Sequence, residues 1–74
     1  MVLEKNTAYK AALKLSWIES IASNEIVAKE FIKIGFTNVR VTGSGQNREA
    51  SGTWTGATQE VNTIPKQVTN IRKI

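Results

Sequence analysis

Apolar and polar residues alternate along residues 8–15. Tyr9, Ala11, Leu13 and Leu15 oppose Ala8, Lys10, Ala12 and Lys14. A period of two is that of a strand with one buried face. Tyr9, Leu13 and Trp17 also fit a helical face, and alanine favours helix. The next four residues arbitrate. Ser16-Trp17-Ile18-Glu19 reads S-x-x-E, a capping box in which the serine hydroxyl and the glutamate carboxylate each satisfy an orphan amide. It starts a helix at Trp17 and ends a strand at Leu15.

From Trp17 to Gly35 the period changes to that of a helix. At about 100° per residue, Val27, Ala28, Phe31 and Ile34 form one stripe with Ile32 at its edge. Glu25, Lys29, Glu30 and Lys33 lie opposite. Trp17, Ile18 and Ile21 form a second stripe, rotated from the first. Ser23 and Asn24 are cap-type residues between the two. Two short helices with a break between them fit better than one straight rod. Gly35 suits the left-handed position that ends a helix, and Phe36 is the apolar residue that folds back on the last turn.

Alternation then returns. Val39 and Val41 oppose Asn38, Arg40 and Thr42; Ala50, Gly52 and Trp54 oppose Glu49, Ser51 and Thr53. Pairing Val41 with Ala50 and Val39 with Gly52 keeps the apolar sets together. Pairing Val41 with Glu49 would mix apolar and charged side chains. The chosen register leaves a two-residue loop, Gly45-Gln46, and glycine in its first position predicts a type II′ turn. The missing side chain at Gly52 leaves room for a neighbour, such as Trp54 or a helix residue. Gly56 to Pro65 reads as a polar connection. In the tail, Pro65 could open a short helix after Thr63, but the β-branched Val68, Thr69, Ile71 and Ile74 favour an edge strand.

The predicted fold class is α+β: a single domain over residues 1–74, β-α-β-β with a further terminal strand. One broken helix packs on an antiparallel sheet of three to four strands, and residues 1–7 are expected as a flexible N-terminus. A helix ending in Gly35-Phe36, followed by a strand and a hairpin, is similar to split β-α-β modules such as the peptidoglycan-binding SPOR domain. The similarity spans about residues 10–55, and Gly35-Phe36 is the motif shared. SPOR proteins normally carry a linker or membrane anchor, which is not seen here. In size and style the chain also resembles short phage and prophage proteins, which implies a cytoplasmic or virion setting.

Composition narrows the chemistry. The 74 residues include no cysteine, histidine or aspartate. The usual acid–base group near neutral pH is therefore missing, as are the commonest zinc ligands and two members of a hydrolase triad. The carboxylates are Glu4, Glu19, Glu25, Glu30, Glu49 and Glu60. Glu25 and Glu30 share the predicted helix but point about 140° apart, so they share neither a metal nor a proton. Gly43-Ser44-Gly45-Gln46-Asn47-Arg48 departs from G-x-G-x-x-G at Arg48, and a P-loop G-K-[ST] does not occur. No catalytic residue, cofactor or metal is expected. No stretch approaches the roughly 20 apolar residues of a membrane span. The polar Met1–Thr7 lacks the apolar run of a signal peptide. A cytoplasmic protein is expected.

The formal charge of +4 is unevenly spread along the chain. Residues 1–30 hold four lysines and four glutamates, whereas no acidic residue follows Glu60. Arg40, Arg48, Trp54, Lys66, Arg72 and Lys73 are the candidate partner-binding residues. A protein partner or self-association is the first expectation, because tryptophan and arginine are enriched at interface hot spots. Nucleic acid is the alternative, contacted through phosphate by the basic second half. The sheet's outer positions lack the aromatics of a single-strand platform. Blander readings stand beside these. Arg40 pairs diagonally with Glu49, both tryptophans are core, and Arg72 and Lys73 guard an edge strand.

Overall fold

A computed structural model describes residues 1–62 and 64–74. Thr63, from which the alternative helix of the tail would start, lies outside them. The order along the chain is β1 (Val2–Leu3), β2 (Thr7–Lys14), a 3-10 turn (Glu19–Ile21), α1 (Asn24–Ile34), β3 (Phe36–Ser44), β4 (Asn47–Trp54), β5 (Gln59–Glu60) and β6 (Val68–Lys73). The class is α+β, as expected. The main sheet has the order β3-β4-β2-β6 with every neighbouring pair antiparallel. β2 and β3 therefore run parallel on either side of β4 and are joined through α1, a split β-α-β arrangement. Both segments that admitted a helical reading are strands, and β6 lies at the sheet edge.

The break in the helical region is built by two caps in succession. The Ser16 amide donates to the Glu19 carboxylate at 2.8 Å, and the Glu19 amide donates to Ser16 Oγ at 3.1 Å. The box thus closes reciprocally, but it closes over a single 3-10 turn rather than an α-helix beginning at Trp17. Ser23 then caps α1, accepting from the Ile26 amide at 3.3 Å. At the far end Gly35 has φ 122°. A Cβ there would sit 2.8 Å from the Trp54 ring, so conformation and space both require glycine.

The inner face of the sheet meets α1. Phe31 of the helix packs edge-on to Phe36, which also meets Tyr9 and Trp54 edge-on, with centroid distances of 6.1, 6.5 and 5.2 Å. Leu13, Ala50, Leu3 and Val61 complete the buried cluster, with Val27, Ile34, Val41, Val68 and Ile71 packed against it. Such edge-to-face aromatic contacts add to plain burial. The opposite face of the sheet carries no helix.

Four readings of the sequence are corrected here. The hairpin closes with Val41 opposite Ala50 and with Gly45-Gln46 as its loop, and positive φ falls on Gly45 alone of the two, as a type II′ turn requires. Val39 does not pair simply with Gly52, however. The register shifts between Thr37 and Arg40, so that Asn38 (φ 52°) and Val39 bulge opposite Gly52. The space at Gly52 is taken by Val39 and the Thr37 carbonyl rather than by Trp54 or a helix residue. Residues 1–7, expected as a flexible lead-in, supply β1, which pairs with β5, and the fully buried Leu3. The connection Gly56–Pro65 accordingly holds a strand and a core residue, Val61.

Candidate functional site

The six residues singled out from the sequence do not form one site. Trp54 is 3% exposed, and its indole N–H donates to the Ala57 carbonyl at 3.0 Å. It is core, because the bare backbones of Gly35 and Gly56 let the ring lie flush against them. Arg48 is 7% exposed. It points inward at the hairpin end and donates to the Gly45 carbonyl, Asn24 Oδ1 and the Ser20 carbonyl at 3.0, 2.8 and 2.9 Å. That guanidinium ties the hairpin turn, the start of α1 and the 3-10 turn together. Both side chains are buried and hydrogen-bonded within the fold. Lys73 donates to Glu4, whose carboxylate accepts the hydrogen bond and raises the lysine pKa. Lys66 is exposed near Glu19. Only Arg40 and Arg72 share a surface, the open face of the sheet.

Two surfaces remain. The first is apolar and lies on the helix side. Trp17, Ile18 and Ile21 are 76%, 63% and 87% exposed, and Ile26 in the first turn of α1 is 53% exposed. The tight 3-10 turn closes on the local hydrogen bonds of Ser16, Glu19 and Ser20, and it buries none of its own residues. Beside this ridge runs a groove of about 200 Å³ lined by Leu13, Leu15, Ala22, Ile26, Val27, Phe31 and Pro65, with Glu19, Glu30 and Gln67 at its polar positions. Glu19 accepts from Gln67 Nε2 at 2.5 Å as well as from the Ser16 amide. The Ser16 amide first, and then Gln67, hold its carboxyl below the usual glutamate range, with Lys66 adding its charge and partial desolvation opposing them.

The second surface is the open sheet face. Alternation along β2 sends Lys10 and Lys14 outward, where they join Arg40 and Arg72. Glu49 is the carboxylate among them and pairs with Lys10 at 3.4 Å, not with Arg40. A shallow recess of about 170 Å³ lies between Lys10, Arg40, Thr42, Glu49 and Ser51. Sequence reasoning placed Ser51 on this outer face but missed Lys10 and Lys14 here, and Ile18, Ile21 and Ile26 on the apolar side. The period-two pattern of residues 8–15 already held the signal for the two lysines.

Among the described residues, no group of three His, Cys, Asp or Glu side chains is placed to hold a metal ion. No helix there is long and apolar enough to cross a membrane. Comparison with protein-family models, curated proteins and solved structures finds no match to the chain.

Proposed function

We propose that this protein is a non-enzymatic protein-binding and assembly module whose contact surface is the ridge Trp17, Ile18, Ile21 and Ile26 with the groove beside it. The observation that carries the reading is the exposure of four large apolar side chains, one of which, Ile26, also lines a largely apolar groove. Contiguous apolar surface of this kind marks interaction sites, whereas single exposed apolar residues do not. Trp17 is the residue type most enriched at binding hot spots. The sequence supports the non-enzymatic part, since it supplies no histidine, cysteine or aspartate.

A second copy of the chain is the first partner this surface suits. Edge-to-edge pairing is disfavoured on both sides of the sheet: the Asn38–Val39 bulge and Arg40 interrupt β3, and Arg72 and Lys73 end β6. Association then falls to faces. The ridge residues Trp17, Ile18, Ile21 and Ile26 are all apolar, so this part of the surface meets its own copy across a two-fold axis without opposing like charges. Sedimentation over a rising concentration series tests this, comparing wild type with Ile21→Lys. Ile21 is so exposed that its replacement leaves the circular dichroism unchanged. Wild type is expected to dimerise and the variant to stay monomeric. A wild-type protein that remains monomeric and indistinguishable from the variant would overturn the reading.

A further inference from the structure

The open face of the sheet has an order that the linear charge pattern hides. Arg40 stands opposite Ser51, Ser51 opposite Lys10, and Lys10 opposite Arg72. These four residues form one row across β3, β4, β2 and β6. Strand spacing of about 4.8 Å spreads the row over about 14 Å. Lys14 extends the positive field along β2. The next row, Thr42, Glu49, Ala12 and Asn70, contributes one negative charge. The face thus concentrates three of the four net positive charges of the whole chain.

From this row we infer a binding site for the phosphate backbone of double-stranded nucleic acid, independent of the apolar surface and of the function proposed for it. Arg40 makes no hydrogen bond or ion pair among the described residues, so its planar fork is free for a phosphate. The recess between Arg40 and Lys10 has the Ser51 hydroxyl on its lining as a further donor. A row of cations suits a repeating polyanion better than an isolated phosphate, and the duplex offers the densest charge. The strands place no aromatic residue on this face, so bases of a single strand gain no stacking there. Beyond the exposed Ile74, which follows β6 beside Ala8, the face carries no apolar side chain larger than alanine, so a membrane would be met mainly by charge. Contact is to backbone, and sequence preference is absent.

Fluorescence anisotropy of a labelled DNA duplex, titrated between about 50 mM and about 200 mM salt, tests the inference. Three to four phosphate contacts give a slope of log affinity against log salt of about −3, at roughly −0.9 per contact. Arg40→Ala with Arg72→Ala is expected to reduce that slope by about two. Glu49→Gln acts in the opposite direction: it frees Lys10 and removes a repelling charge, and binding should tighten roughly two- to fivefold, the size of a surface ion pair. A gain cannot arise from misfolding, which separates the effect from loss of structure. Absence of duplex binding at low salt would overturn the inference. So would a slope that none of these variants moves, or binding to anionic phosphatidylserine vesicles in preference to the duplex.

Discussion

Arg48 carries a full charge to a buried position and finds only neutral acceptors there: two backbone carbonyls and an asparagine oxygen. Each acceptor lies on a different segment, so the guanidinium substitutes for packing that so short a chain cannot supply. Replacing it by methionine keeps the stem and strands the acceptors, with an expected loss of about 1–3 kcal/mol in a urea melt. Arg48→Lys should rescue little of this, because one ammonium does not span three acceptors in a fork geometry. Gly35→Ala should cost a similar amount, about 1–3 kcal/mol, through backbone strain alone, and more if the Trp54 ring has to move. The residue types at these two points were legible in different degrees. Gly35 announces itself by its place after a helical period and before Phe36. Arg48 reads as a surface cation because its alternation class, shared with Ala50 and Trp54, conflicts with its charge. The pattern was right, and the charge preference gave way to three hydrogen bonds.

At the scale of elements, period-two alternation identified β2, β3 and β4, β-branched content identified β6, and grouping the apolar sets fixed the hairpin register near the turn. Two-residue strands such as β1 and β5 have no period to detect, and the Asn38 bulge depends on a left-handed backbone that asparagine tolerates without requiring. Capping was legible at both breaks, but a box does not say whether the turn it starts is 3-10 or α. Ser23→Ala should cost about 1 kcal/mol in thermal or urea unfolding, a typical loss of an N-cap. The 3-10 turn answers to pH. Glu19 has its pKa lowered in the folded state by the Ser16 amide and Gln67. Its contribution is therefore present above the ordinary glutamate range and is lost as pH falls through the lowered value. The Ser16 amide resonance and the Trp17 emission should both move over that acidic window. In Glu19→Ala both should be flat there, since the titrating group is gone.

Charge was the property least legible at the scale of the molecule. Counted along the chain, residues 1–30 are neutral, which hides Lys10 and Lys14. Folding separates what the count combined: the outward side of β2 delivers these lysines to the open sheet face, while Glu25 and Glu30 go to α1. The same folding puts the apolar ridge on the helix side, so the two surfaces face different directions and share no residue. The two tryptophans provide independent reporters of this layout. Trp17 should be fully quenched by acrylamide in the monomer, and Trp54 should resist. Self-association should shield Trp17 alone. Because distant sites add independently, Ile21→Lys should abolish that shielding without changing duplex affinity per chain in dilute solution. Arg40→Ala with Arg72→Ala should weaken duplex binding without changing the sedimentation behaviour. If dimerisation brings two sheet faces to one duplex, the wild-type salt slope should steepen with protein concentration toward twice its dilute value, whereas that of Ile21→Lys stays constant. A slope that steepens equally in both proteins would mean that chains gather on the duplex through some surface other than the apolar ridge.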